Sequence, residues 1–180
     1  MCIRDRILHK ADPEAQIMVA GMFATPSSNS AITSFDYLRE LYTKPGVAEA
    51  TDLVAVHPYG PDLSAVKKQM AKTYKVMVEG GDGDAGTWVT EIGWGSDTNV
   101  KSQLTKTPAK QASLLTKTYK MMIAKRGRWN VQGVLWYTWR DAANPEALCG
   151  WCGSAGLVDD DLDSKPAWVA YTDLTGGDPG

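Results

Sequence analysis

The alternation of short apolar segments with amphipathic segments is the feature that most constrains the fold of this chain. Apolar runs begin near Ile17, Leu53, Thr87 and Val131, and a longer segment with helical periodicity follows or precedes each one. Strands and helices that alternate in this way form βαβ units around a parallel sheet. A closed eight-unit barrel typically needs about 250 residues. The 180 residues therefore predict an α/β fold that is half of a (β/α)₈ TIM barrel, with an open doubly wound sheet as the alternative.

Capping residues and periodicity predict the ends of the helices. Ser34 is the predicted N-cap of a helix that runs to about Tyr42. A later helix is predicted to bury Met122 and Ile123 near its C-terminal end, with Gly127 after it as the stop signal. The last helix is expected to begin at about Pro166.

The chain is expected to contain one folded domain. We interpret residues 1–6, MCIRDR, as a non-native N-terminal scar, because they lack the pattern of a signal peptide and have no clear place in the helix that follows. Residues 7–180 then form the partial barrel, and the natural protein is expected to continue upstream. We find no linker and no second domain in the pattern.

Composition narrows the class of partner. The net charge is −2 and no long basic run is present, which argues against nucleic acid and anionic membranes as partners. No apolar run approaches the roughly 20 residues of a membrane span. Seven tryptophans and seven tyrosines accompany only two phenylalanines, a mixture of flat rings with polar groups that suits a neutral ligand such as a carbohydrate.

Polar and aromatic residues stand where the predicted strands end. Glu91 ends the third strand, and an ionised carboxylate at such a position costs free energy unless it is paired or used. Carboxyl ends of barrel strands meet at one mouth, so we interpret Glu91 as functional and keep a structural role as the alternative. Candidate ligand-contacting residues around it are His57, Tyr59, Trp94, Trp136 and Trp139.

His57 and Tyr59 lie two residues apart at the end of the second strand, where either can donate a hydrogen bond to a carboxylate on the next strand. Trp94 and the preceding glycine are expected to open a groove around the acid. Trp136 and Trp139 are expected on opposite faces of the fourth strand, with one under a sugar ring and the other in the core.

Cys149 and Cys152, in the sequence CGWC, allow three interpretations: half of a zinc site, a redox pair or a disulfide. No second CxxC or nearby histidine completes a zinc set, so a loop disulfide in an oxidising compartment is favoured, with free thiols second. We expect no metal and no cofactor, because the sequence also lacks a phosphate-binding loop and the spacing of an EF-hand.

Four motifs, VAVHPYG, WVTEIGWGS, GVLWYTWRD and GLVDDDLDSKPAW, in this order resemble the C-terminal half of a clan A glycoside hydrolase. These are (β/α)₈ retaining enzymes that include cellulases and β-xylosidases. The resemblance implies that the four strands are the fifth to the eighth of the barrel, and that the parent protein hydrolyses O-glycosidic bonds in a β-linked poly- or oligosaccharide. It also implies a secreted or extracellular protein.

The resemblance assigns roles to individual residues. Glu91 matches the nucleophile, His57 and Tyr59 match the pair that lines the sugar subsite, and Trp136, or failing it Trp139, matches the tryptophan under the sugar. The clan's acid/base glutamate follows an asparagine on the fourth strand, and this chain has no such pair upstream of its first strand. We therefore expect the chain alone to be inactive. The alternatives are a non-catalytic carbohydrate-binding barrel and an unrelated α/β protein.

Overall fold

The computed structural model describes residues 7–8, 10–24, 32–144 and 149–178, so the predicted scar at residues 1–6 lies outside the described residues. Strands and helices alternate along it, except that two helices precede the last strand; in chain order the elements are β1 Met18–Phe23, α1 Ser34–Tyr42, β2 Leu53–His57, α2 Leu63–Glu79, β3 Gly86–Ile92, α3 Pro108–Ala124, α4 Arg126–Trp129, β4 Val131–Trp136 and α5 Pro166–Thr175. The strands form a sheet in the order β1-β2-β3-β4, in which β1 and β2 pair in parallel and so do β2 and β3. The predicted βα alternation is confirmed.

The chain divides into two compact units. The first combines the chain up to Pro58 with Lys67–Thr90 and Lys125–Gly133, and the second combines Tyr59–Val66, Glu91–Ala124 and Val134–Gly180. Within the described residues, no helix has both the length and the hydropathy of a membrane-spanning segment.

Strand β2 lies in the core of the first unit. Val54, Ala55 and Val56 are all buried, although they alternate between the two faces of the strand. Burial on both faces is typical of a parallel strand that helices cover on either side. At the amino end of this strand the Asp52 carboxylate accepts a hydrogen bond of 2.7 Å from the backbone N–H of Ile17, which fixes the start of β1.

The ends of the helices differ in three places from the predictions. The N-cap of α1 is Thr33 and not Ser34, because the Thr33 hydroxyl accepts the N–H of Asp36 at 3.1 Å. Ile123 is 69% exposed, since α3 buries a narrower face that ends with Met122. Gly127 lies inside the short helix α4.

Asn130 ends helix α4 in place of the predicted glycine. It has the left-handed conformation, with φ of 46°, which asparagine tolerates better than most residues. Its side-chain amide donates to the carbonyls of Asp84 and Ala85 at 2.8 and 3.1 Å. These bonds tie the start of β4 to the residues just before β3.

The core of the second unit lies between α3 and α5. Leu115, Leu157 and Ala167 are its buried residues, and partly buried aromatic side chains pack against them. The rings of Tyr119 and Tyr171 meet edge to face with their centroids 5.9 Å apart. The last helix begins at Pro166, as predicted, because proline fits the first helical position.

Candidate active site

Glu91 and Tyr59 are in direct contact in the second unit. Glu91 is half-buried near the carboxyl end of β3, and the Tyr59 hydroxyl donates a hydrogen bond to its Oε2 at 3.0 Å. Only 9% of Tyr59 is exposed. Burial raises the pKa of the Tyr59 phenol far above its ordinary value, and the adjacent Glu91 carboxylate adds to this shift. Tyr59 therefore remains a protonated donor that can hold and orient the Glu91 carboxylate.

Two further rings enclose Tyr59. Its centroid lies 5.0 Å from Trp151 and 6.5 Å from Tyr137, and both contacts are edge to face. Trp151 and Tyr137 also meet, at 5.9 Å. We call Tyr59, Tyr137 and Trp151 the aromatic cluster. The sequence predicted Tyr59 as a site residue but not Tyr137 or Trp151. The available signals were an aromatic residue directly after the end of β4, Tyr137, and another inside the CGWC motif, Trp151.

Cys149 and Cys152 form a disulfide in the structure. The backbone N–H of Cys152 donates to the carbonyl of Cys149 at 2.8 Å, so the bridge closes one tight turn with Trp151 inside it. Among the described residues, no three or more His, Cys, Asp and Glu side chains are grouped to hold a metal ion. Trp151, the ring inside this turn, is the part of the motif that packs against Tyr59.

The prediction that Trp94 lines a groove is wrong. Its indole is 0% exposed, and its Nε1–H donates to the carbonyl of Gly60 at 2.8 Å. The preceding Gly93 lies so close to the carbonyl of Tyr137 that a Cβ would collide with it. Trp94 and Gly93 therefore pack the base of the site instead of opening it, because the buried indole finds a main-chain acceptor inside the unit.

Trp136 and Trp139 have different surroundings. β4 ends at Trp136, which is partly buried, lies 6.0 Å from the Trp94 ring and donates from Nε1 to the carbonyl of Ala155 at 3.0 Å. Trp139 lies beyond the strand, so the predicted opposition of the two rings on one strand is wrong. It is 55% exposed and meets Trp168 edge to face at 5.0 Å. Trp136 is thus the tryptophan that adjoins the core under the site.

Ser154 connects the CGWC turn to the segment that follows Glu91. Its hydroxyl accepts the backbone N–H groups of Ser96 and Asp97, both at 3.0 Å. Its carbonyl accepts hydrogen bonds from the N–H and the hydroxyl of Ser96 at 2.9 and 3.0 Å, from Gln111 Nε2 at 3.3 Å and from Lys165 Nζ at 3.0 Å. Three segments of the unit therefore converge on one residue.

A buried ion pair supports the same region. Lys165 Nζ lies 2.8 Å from each carboxylate oxygen of Asp141, and the two side chains are only 10% and 15% exposed. Asp141 also accepts a hydrogen bond from the N–H of Gly156 at 2.6 Å. The pair fixes the loop after β4 to the start of α5.

His57, the other candidate at the end of β2, lies in the first unit. Its Nε2 is 2.9 Å from the Thr90 hydroxyl, the residue immediately before Glu91. The ring lies over Gly21, where a Cβ would collide with it. His57 therefore contacts β3 at Thr90, within the first unit.

Asp82 is a buried carboxyl of the first unit outside this site. It is 6% exposed, and the Tyr42 hydroxyl donates to its Oδ2 at 2.6 Å. Burial raises the pKa of Asp82 to about 6; the Tyr42 hydrogen bond opposes this shift, and the charges of Asp52 and Asp84 add to it.

Solved structures of glycoside hydrolases have similar folds. The intracellular xylanase TsXylA from Thermoanaerobacterium saccharolyticum superposes with a TM-score of 0.61 and 17% sequence identity over 92% of this chain and 46% of its own. A GH10 protein from Paenibacillus barcinonensis gives 0.62 and 15% over 94% and 49%. Xylanase 10B from Thermotoga petrophila, solved with xylobiose, gives 0.58 and 18% over 95% and 49%. No protein-family model and no curated protein matches the chain.

The chain has the fold of part of a TIM-barrel glycoside hydrolase. It spans about half the length of these three solved structures. The partial (β/α)₈ barrel predicted from the sequence is confirmed, and the doubly wound alternative is not needed to account for the sheet. In such a barrel the carboxyl ends of the strands carry the chemistry, which is where Glu91 lies in β3.

Proposed function

We propose that the chain is the C-terminal half, strands five to eight, of a retaining glycoside hydrolase barrel, and that it supplies the nucleophile Glu91. The observation that carries this proposal is the hydrogen bond from the buried Tyr59 hydroxyl to a half-buried carboxylate at a strand end. The fold shared with xylanases supports a β-linked poly- or oligosaccharide as substrate, with β-xylosides as the first choice of probe.

In the proposed mechanism the Glu91 carboxylate attacks the anomeric carbon, and the bond to the leaving oxygen breaks with its electron pair. The sugar is then held as an ester of Glu91 until water displaces it with net retention. Tyr59 orients the attacking carboxylate, and we propose that Trp136, which is only partly buried, contacts the sugar ring. The disulfide supports an oxidising, extracellular location.

Retaining hydrolysis also needs a second carboxyl about 5–5.5 Å from the first, to protonate the leaving oxygen and then activate water. We propose that this acid/base glutamate belongs to an upstream half barrel. The chain alone should then fail to turn over sugars with poor leaving groups, yet Glu91 should still react when the leaving group needs no proton.

A fluorosugar with an activated leaving group tests this proposal on the chain itself. With 2,4-dinitrophenyl 2-deoxy-2-fluoro-β-xyloside, attack by Glu91 expels dinitrophenolate without a proton donor, and the fluorine slows hydrolysis of the ester. Mass spectrometry of peptides should find one fluoroxylosyl group on Glu91. Glu91→Gln should prevent labelling, whereas Glu79→Gln, at an exposed glutamate paired with Lys75, should not.

Other outcomes separate the alternatives. Saturable binding of xylo-oligosaccharides without labelling would favour a non-catalytic carbohydrate-binding barrel. Labelling that persists in Glu91→Gln would contradict the nucleophile assignment. Turnover of unactivated aryl β-glycosides that Glu91→Gln abolishes would contradict the expected inactivity of the chain.

A further inference from the structure

We propose that Trp151 is a positioning residue that acts on Glu91 through Tyr59. In this role the Cys149–Cys152 disulfide makes the orientation of the nucleophile depend on the oxidation state of its loop. The inference rests on the proposed function, because it concerns the reactivity of Glu91 as a nucleophile.

The first step is the contact between the two rings. Trp151 packs against Tyr59 at a centroid distance of 5.0 Å, with an angle of 62° between the ring planes. Tyr137 closes a second edge of Tyr59. The phenol oxygen lies at the far end of the Tyr59 side chain, so a small rotation of the ring displaces it from the Glu91 carboxylate. Packing on two sides therefore fixes the direction of the hydrogen bond.

The second step is the way in which Trp151 itself is held. The disulfide and the Cys152 N–H bond constrain the turn on one side. On the other side, the carbonyl of Trp151 accepts the N–H of Ser154 at 3.3 Å and its hydroxyl at 3.4 Å. Gly95 lies against the same carbonyl so closely that a Cβ would collide with it.

The third step connects this turn to Glu91 by a second route. Gly95 and Ser96 lie on the segment that leaves β3 four and five residues after Glu91. Ser96 bonds to both the hydroxyl and the carbonyl of Ser154. The turn thus contacts Glu91's own segment directly and reaches its carboxylate through Tyr59, which is the arrangement needed to hold a nucleophile in one orientation.

Saturation kinetics of labelling by the dinitrophenyl fluoroxyloside separate positioning from binding. The limiting rate constant reports the attack by Glu91, and the half-saturation concentration reports the affinity for the sugar. We expect Trp151→Ala to lower the limiting rate constant roughly tenfold while the half-saturation concentration changes less than about twofold. Trp151→Phe should restore most of the rate, because a phenyl ring can still meet the edge of Tyr59.

The disulfide supplies an independent arm of the same experiment. Reduction of the unmodified chain, and the double variant Cys149→Ser with Cys152→Ser, should each lower the limiting rate constant by several-fold, on the scale expected for a loosened supporting loop. The double variant should not respond further to the reductant, which controls for Cys2. Tyr37→Ala, at an exposed aromatic residue of α1, is the matched surface control and should leave both constants unchanged.

The outcomes are distinct. Absence of labelling at Glu91 in the unmodified chain refutes the proposed function, whatever Trp151 does. Normal labelling that neither Trp151→Ala nor reduction slows refutes the positioning role alone. An effect of Trp151→Ala that raises the half-saturation concentration and leaves the limiting rate constant unchanged also refutes it. If Trp151→Ala does not fold, the comparison of Trp151→Phe, the reduced chain and the unmodified chain decides the question.

Discussion

The hydroxyl of Tyr59 lies 3.0 Å from Oε2 of Glu91, and it comes from a ring that is 9% exposed. A donor with so little freedom fixes the acceptor as well as satisfying it. The contact joins the segment after β2 to the end of β3, so two neighbouring strands cooperate in presenting one carboxylate.

Tyr59→Phe should slow labelling of Glu91 by the activated fluoroxyloside roughly tenfold to a hundredfold, because the carboxylate loses its orienting donor. The free energy of unfolding should fall by about 1 kcal/mol, the usual size for one hydrogen bond. Tyr74→Phe is the matched control, since the Tyr74 hydroxyl donates to the carbonyl of Gly83 at 3.2 Å within the first unit. Equal labelling rates for the two variants would contradict the role of Tyr59.

Asp82 should make stability depend on pH. Its pKa in the folded chain, about 6, is above the ordinary value of 3.8, so folding favours the protonated form. The resulting stabilisation is fully present below pH 3.8 and is lost as the pH rises through about 6. The free energy of unfolding of Asp82→Asn, relative to that of the unmodified chain, should therefore increase over this interval by on the order of 2 kcal/mol.

Urea unfolding of both proteins at a series of pH values measures that difference. Tyr42→Phe removes the hydrogen bond that lowers the Asp82 pKa, so it should move the loss of stability to higher pH. A difference between the unmodified chain and Asp82→Asn that stays constant from pH 4 to pH 7 would show that Asp82 titrates normally.

The ion pair between Lys165 and Asp141 should be costly to break. Lys165→Met leaves the Asp141 carboxylate buried without its cation, and the free energy of unfolding should fall by about 3 kcal/mol. Lys44→Met is the control, because Lys44 pairs with Glu40 at the exposed C-terminal end of α1, and it should cost less than about 0.5 kcal/mol. Similar losses in the two variants, measured by urea unfolding, would argue against a structural role for the buried pair.

A substitution at Trp94 should affect the stability of the chain, whereas a substitution at Trp136 should affect carbohydrate binding. Trp94→Phe removes a buried indole and its hydrogen bond to Gly60, so it should destabilise the chain by about 2 kcal/mol or more.

Trp136→Ala should weaken binding of xylo-oligosaccharides more than Trp139→Ala does, because Trp136 adjoins the base of the site. Titration followed by intrinsic fluorescence gives the affinities, and a larger effect at Trp139 would reverse the assignment.

The strands and helices were predictable because the apolar periodicity of each segment is local. The contact between Tyr59 and Glu91 was also within reach, since parallel strands place their carboxyl ends side by side. The burial of Trp94 was not, because its partner is the carbonyl of Gly60, 34 residues away, and a main-chain acceptor leaves no mark in the sequence. Trp151 was not predicted either, because its contact with Tyr59 joins segments that are distant in the sequence, and the CGWC motif was interpreted only through its two cysteines.

The carbonyl of Ser154 gives the second unit an unusual form of robustness. Donors from Ser96, Gln111 and Lys165 meet at an oxygen that every amino acid carries. A substitution at position 154 that keeps the backbone path therefore leaves this acceptor in place and removes only the hydroxyl bonds. The identity of residue 154 therefore matters for the two N–H bonds that its hydroxyl accepts from Ser96 and Asp97 and for the bond that it donates to Trp151, whereas the junction of the three donor residues depends on the backbone alone.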